Sequence, residues 1–146
     1  MNIRFRQYTQ HDKKSCLGIF DLNCPEYFAP NERDEYEEFL DEIPNGYQVC
    51  LIDDIISGAF GLFKKGKNES RLNWILIDPN TQGTGLGSLF VDKAIQSAKE
   101  LKTSIIHIAT SQEAYKFFQK KGAIIVLETK NGWGPNMDKI EMELHI

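Results

Sequence analysis

Residues 78–90, DPNTQGTGLGSLF, restrict the possible folds more than any other stretch of this 146-residue chain. Three glycines stand at alternate positions, Gly83, Gly85 and Gly87, after one apolar run and before another. Each glycine costs roughly 0.5–1 kcal/mol relative to alanine inside regular structure. A chain keeps three together where the backbone turns tightly or where something must approach it closely. The preceding run, RLNWILI at 71–77, reads as a strand. Downstream, Leu86, Leu89, Phe90, Ala94, Ile95 and Ala98 form one apolar face of a helix reaching about Glu100. A strand–glycine–helix junction bares N–H groups at the positive end of a helix dipole, which suits an anion. The plainer alternative is a tight connection, for which one glycine would serve.

The other elements follow from periodicity and punctuation. IRFRQY (3–8) alternates as a half-buried strand, and Thr9 with Asp12 forms a capping box for a helix carrying Cys16, Leu17, Ile19 and Phe20. NCPEYFAPNE is a loop. A second helix from about Asn31 buries Tyr36, Phe39, Leu40 and Ile43, with Glu32, Asp34, Glu35, Glu37, Glu38 and Asp41 on its other face, a solvated surface or one that attracts a cation. YQVCLI and IISGAFGLF are strands joined by the tight Asp53-Asp54 turn. SIIHIA (104–109) is nearly all apolar, as a covered parallel strand requires. Thr110 and Glu113 read as a capping box for a helix with Ala114, Phe117 and Phe118, ending at Gly122. Residues 123–128 and 139–145 are strands around the turn-rich KNGWGPNMD. The order β-α-α-β-β-β-α-β-α-β-β predicts one domain over residues 1–146, an α/β fold with a mixed, mostly antiparallel sheet and helices on both faces.

Composition narrows the partners. Net charge is −4, which argues against a non-specific nucleic-acid binder. The three cysteines, Cys16, Cys24 and Cys50, are odd in number and badly spaced for a disulfide framework or a zinc site, so reduced thiols, a cytoplasmic setting and no metal are expected. The N-terminus has no apolar core of a signal peptide and no run nears 18 apolar residues, so no membrane association is expected.

Which anion the glycines serve is narrowed by elimination. A P-loop would need a lysine after its last glycine. A dinucleotide fold would need a third spaced glycine, where Ser88 stands, and an acid about 20 positions on. The pattern Gln82-x-x-Gly85-x-Gly87 after Ile77-Asp78-Pro79 instead resembles the pyrophosphate loop of the GNAT superfamily of acyl-CoA N-acyltransferases. The downstream Ala114-Tyr115-Lys116-Phe117-Phe118-Gln119-Lys120-Lys121-Gly122-Ala123 is similar to that family's second motif. CPEYFAPNE, LNW, TSQ and NGWGPNMD narrow the resemblance to a branch of small GNAT proteins.

The resemblance implies acetyl-CoA as co-substrate, with the pyrophosphate held by Gln82, Gly83, Thr84, Gly85, Leu86, Gly87 and Ser88. It implies that Ile75, Leu76 and Ile77 pair with the pantetheine arm, and that their strand bulges and splays in a V between the fourth and fifth strands. A backbone N–H near Leu76 would polarise the thioester. Ser111 stands where the family often has a pantetheine-contacting asparagine; helix capping explains it equally well.

Phe118 stands where many members have a tyrosine general acid; Tyr115, one turn earlier, is the substitute to test, though packing also accounts for it. The acceptor would be a small-molecule or peptide amine. A lysine-like amine of pKa about 10.4 is neutral in only about one molecule in 2,500 at pH 7, a penalty of about 4.6 kcal/mol, so it needs a base. Glu26, in the loop bordering the acceptor slot, and His107, in the flanking strand, are the candidates, against a solvated carboxylate and a core histidine respectively. Asn73, Trp74 and Trp133 are candidate acceptor-pocket residues. The rival readings are a non-catalytic acyl-CoA sensor and a nucleotide binder. A homodimer by strand or C-terminal exchange is also implied.

Overall fold

The computed structural model describes residues 2–81 and 83–146. Its elements are β1 (Ile3–Gln7), α1 (Lys13–Leu22), α2 (Glu32–Asp41), β2 (Tyr47–Ile52), β3 (Ile55–Lys64), β4 (Glu69–Ile77), α3 (Leu86–Glu100), β5 (Ile105–Thr110), α4 (Tyr115–Lys120), β6 (Ile124–Gly134) and β7 (Met137–His145). They form one seven-stranded sheet of order β1-β2-β3-β4-β5-β7-β6, with β4–β5 the parallel pair and the rest antiparallel.

Strand alternation sorts the core into two layers. Cys50, Phe60, Leu62, Leu72, Ile106 and Ile108 face the side covered by α3 and α4. Tyr47, Val49, Leu51, Ala59 and Leu76 face α1 and α2. Before α1, Asp12 closes a 3-10 turn over Gln10–Asp12 and accepts the Thr9 N–H at 2.9 Å, as the capping box requires. It also takes a bidentate grip from Arg6 at 2.7 and 2.8 Å, and that hydrogen bonding holds its carboxyl below the usual range.

Four expectations need correction. Ile43 is 47% exposed, because α2 ends at Asp41 and the chain turns out at positive φ. Glu32 does not belong to a solvated face: it is buried with Tyr36 and Leu40, with which it shares helical phase. Thr110 remains in β5, and α4 starts at Tyr115 with Ala114 as its N-cap and no side-chain cap; Ser111 Oγ accepts the Glu113 N–H at 3.3 Å in the turn before it. The NGWGPNMD segment is mostly strand, since β6 and β7 continue to Gly134 and from Met137. Asn131, at φ +56, takes the kink in β6 while its side chain accepts the Asn136 N–H at 2.9 Å.

Candidate active site

The sheet opens between β4 and β5. The two strands pair only from Glu69–Ile105 to Leu72–Ile108; beyond that β5 pairs with β7 alone, and β4 with β3 alone. A bulge begins the separation. Ala59 faces Leu76 and Gly61 faces Asn73, so Trp74 and Ile75 oppose the single residue Phe60. Trp74 sits at φ +48, rare for a bulky side chain.

Specific contacts hold that conformation. The Tyr47 hydroxyl donates to the Trp74 carbonyl at 2.6 Å. Its only proton is thereby committed, so the Tyr36 hydroxyl donates to Tyr47, at 2.8 Å. The Trp74 ring packs on Tyr36 at 4.8 Å and Phe28 at 6.1 Å. At the strand's end, Asn23 Nδ2 donates to the Ile77 carbonyl at 3.0 Å.

A cleft of about 1020 Å³ runs through the opening. On one side Ile75, Leu76 and Ile77 lead to Gly83, Gly85, Leu86, Gly87 and Ser88. Gly83 and Gly85 have φ +82 and +76, with open space where a Cβ would project. Gly87 has a different reason: a Cβ there would meet the Phe117 ring at 3.1 Å. The first helical bond of α3 runs from the Leu89 N–H to Gly85, so the N–H groups of Leu86, Gly87 and Ser88 precede the intrahelical ladder. This arrangement fits a pyrophosphate on the α3 terminus and an extended arm along the unpaired edge of β4. Thr84 is outside the cleft lining, and Gln82 lies outside the described residues. Ser111 lines the cleft, and its Oγ accepts the Glu113 N–H in the turn before α4 rather than capping the helix.

On the other side, Asn73, Trp74 and Trp133 line the cleft together with Tyr27, Phe28 and Glu32. His107 reaches the cleft, but its Nε2 is 2.6 Å from Glu69 Oε1. Glu26 is exposed and outside the lining. Tyr115 packs against the α3-side core rather than lining the cleft, while Phe118 does line it.

Glu32, expected only on the acidic face of α2, is absent from the candidate bases named above. It is 3% exposed, its Oε2 accepts the Ala29 N–H at 2.7 Å, and burial pushes its carboxyl up to about 7. The signal was present: Glu32, Tyr36 and Leu40 recur at i, i+4, i+8, which places an acid on the apolar stripe.

A sheet parted beside a glycine-rich strand–helix junction defines an α/β protein of the acyl-CoA acyltransferase type. The chain belongs to the GNAT acetyltransferase family, whose model matches residues 16–123. Among solved structures it is similar to a GNAT-family protein from Desulfovibrio desulfuricans, at 21% identity and TM-score 0.81 over 99% of each chain. It is similar to Ard1 from Thermoplasma volcanium at 18% identity and TM-score 0.84, over 100% of this chain and 99% of that one. A third, yncA from Salmonella typhimurium solved with its cofactor acetyl-CoA, has 13% identity and TM-score 0.71, over 99% of this chain and 94% of that one. No curated protein matches the sequence.

Proposed function

We propose that the protein transfers an acetyl group from acetyl-CoA to an amine by direct attack within a ternary complex. The observation that carries this reading is the parting of β4 from β5 beside the open N-terminus of α3. It provides a backbone edge for a pantetheine arm, a cradle for its pyrophosphate, and a slot through the sheet where an amine can meet a thioester. Family membership and the neighbour solved with acetyl-CoA support the choice of donor.

The residues favour direct attack over an acyl-enzyme. None of the three cysteines lines the cleft, and burial raises all three thiols, Cys16 and Cys50 to about 11. Phe118 cannot protonate the departing thiolate, but a thiol of pKa about 8.5 leaves near neutrality without that help. A missing general acid typically costs about 10²–10⁴-fold at most.

Phe118, and the packing of Tyr115 away from the cleft, favour one second reading: a protein that binds acyl-CoA as a sensor without turnover. The separating experiment measures CoA thiol released from acetyl-CoA over a panel of small amines and peptide N-termini, with calorimetric CoA binding in parallel. Amine-dependent thiol release is expected. CoA binding with no release on any amine supports the sensor, and no CoA binding overturns both readings.

A further inference from the structure

We propose that Glu32 receives the acceptor as an alkylammonium ion and is the base that takes its proton. The proposal rests on the amine-acetylation reading above and adds a residue and a substrate class to it, basic aliphatic primary amines.

The geometry is that of an anion held ready at the cleft wall. Only one carboxylate oxygen of Glu32 is engaged, by the Ala29 N–H. Among the described residues, the one fully enclosed side-chain polar atom without a partner is the Tyr8 hydroxyl. The free oxygen of Glu32 is therefore not sealed in the core, and Glu32 is among the residues that line the cleft. The described ion pairs do not include Glu32. A buried, uncompensated carboxylate is costly unless it is neutralised or meets a cation. Phe28, Trp74 and Trp133 share the lining with it.

Contacts cross the opening beside Glu32. Asn31 Nδ2 donates to the Trp133 carbonyl at 2.8 Å, and Trp133 Nε1 donates to Thr110 at 2.8 Å. A Cβ on Gly134 would collide with Asn31 Oδ1 and stand 3.0 Å from Ala29 Cβ. These contacts tie the α1–α2 segment, on the β4 side, to the β6–β7 hairpin, on the β5 side. They bridge the opening one residue from Glu32.

Glu113, Glu141 and Glu143 also line the cleft, from the segment before α4 and from β7, whereas α2 contributes only Glu32. Glu35, on the same helix, disfavours its ionisation, and Arg33 is occupied by Asp21 at 2.8 Å. The loop before α2 presents Cys24 and Tyr27, whose own thiol and hydroxyl burial pushes up. Across the opening, Lys139 lies over the Trp133 ring at 5.0 Å, and Glu113 sits near Tyr27. The two bases expected from sequence are placed less well: Glu26 is outside the cleft and His107 is bound to Glu69.

In the reaction, one ammonium proton passes to Glu32. The freed lone pair forms the C–N bond at the thioester carbon, and the carbonyl pair moves to oxygen. Collapse of the tetrahedral species breaks C–S, the electron pair leaving with sulfur. The nitrogen's surplus proton ends on sulfur as the thiol, and Glu32 releases its proton to solvent.

The test is the pH profile of kcat/KM, with acetyl-CoA and an alkylamine, for wild type and Glu32→Gln. The glutamine oxygen can still accept the Ala29 N–H, and calorimetric CoA binding checks the fold. Wild-type activity should rise and level off near neutrality, well below the amine's own pKa. Glu32→Gln should be lower by about 10²–10³-fold at neutral pH and keep climbing through the alkaline range. Its deficit should shrink to about tenfold or less with an O-alkylhydroxylamine, which is already neutral. A variant that levels off where wild type does, or loses as much with both nucleophiles, overturns the role of Glu32 alone. If the variant does not fold, a wild-type profile climbing to the amine's pKa still overturns it. A wild type that binds CoA but acetylates no amine overturns the amine-acetylation reading and this role with it.

Discussion

At the scale of single residues, two buried side chains have measurable consequences. Tyr47 holds the carbonyl of a left-handed tryptophan, so Tyr47→Phe strands the Trp74 carbonyl and the Tyr36 hydroxyl together. The expected cost is roughly 2–3 kcal/mol in denaturant unfolding. Because the bulge sets the backbone beside the thioester, kcat should fall roughly tenfold to a hundredfold, with CoA affinity little changed. An unchanged kcat would mean that packing of the Trp74 ring alone fixes the bulge. Glu32 predicts a pH-dependent stability of definite sign. Its folded-state carboxyl is raised from 4.5 to about 7. Its stabilising contribution is therefore complete below about pH 4.5 and is lost as pH rises through about 7. Relative to Glu32→Gln, wild type should lose about 3 kcal/mol over that window. Unfolding curves of both proteins from acid to neutral pH check this, and a flat difference would place Glu32 in contact with bulk water.

At the scale of elements, the glycine loop shows how one pattern serves separate ends. Gly83 and Gly85 are required by backbone conformation and Gly87 by the nearness of Phe117. Gly85→Ala meets no atom, so its expected stability loss is only the left-handed penalty, about 1–2 kcal/mol. The added methyl projects into the space assigned to the pyrophosphate, and CoA affinity should fall by at least about tenfold by calorimetry. A large loss of stability with unchanged affinity would assign the loop a purely structural role. Most of the element order was readable from periodicity, because each strand or helix has its own apolar pattern and its own stop. Two features depart from composition. The acidic run of α2 has the composition of a solvated face, and its helical phase puts Glu32 beside Tyr36. The long β6–β7 hairpin was obscured by Asn, Gly and Pro, residues that usually mark loops. Here Asn131, Gly132 and Gly134 belong to a kinked strand and Pro135 and Asn136 to its turn, held by the bonds of Asn131 to Asp138 and Asn136.

At the scale of the whole molecule, the cleft divides the fold into a β4 side carrying α1 and α2 and a β5 side carrying β6 and β7. A ligand that occupies it stabilises the folded state by mass action. At CoA near 100 times its Kd the expected gain is about 2.7 kcal/mol. For a domain of this size that is a rise in Tm of roughly 5–10 °C. Thermal melts over a CoA titration check it, and a Tm insensitive to CoA would mean that the junction does not hold this ligand.

The sequence by itself determined the succession of elements, the strand–glycine–helix junction and the family, because these depend on neighbours a few positions apart. Only the tertiary structure decided which polar groups face the cleft. Glu26 and Glu32 lie in one short segment, yet one is exposed and the other buried with an oxygen free. His107 and Glu69 meet because two parallel strands align them, and Asn31 meets Trp133 because the hairpin returns across the opening. Such pairings join residues far apart in the chain. Local pattern says what each residue can do, and long-range packing decides which of them share a site in which to do it.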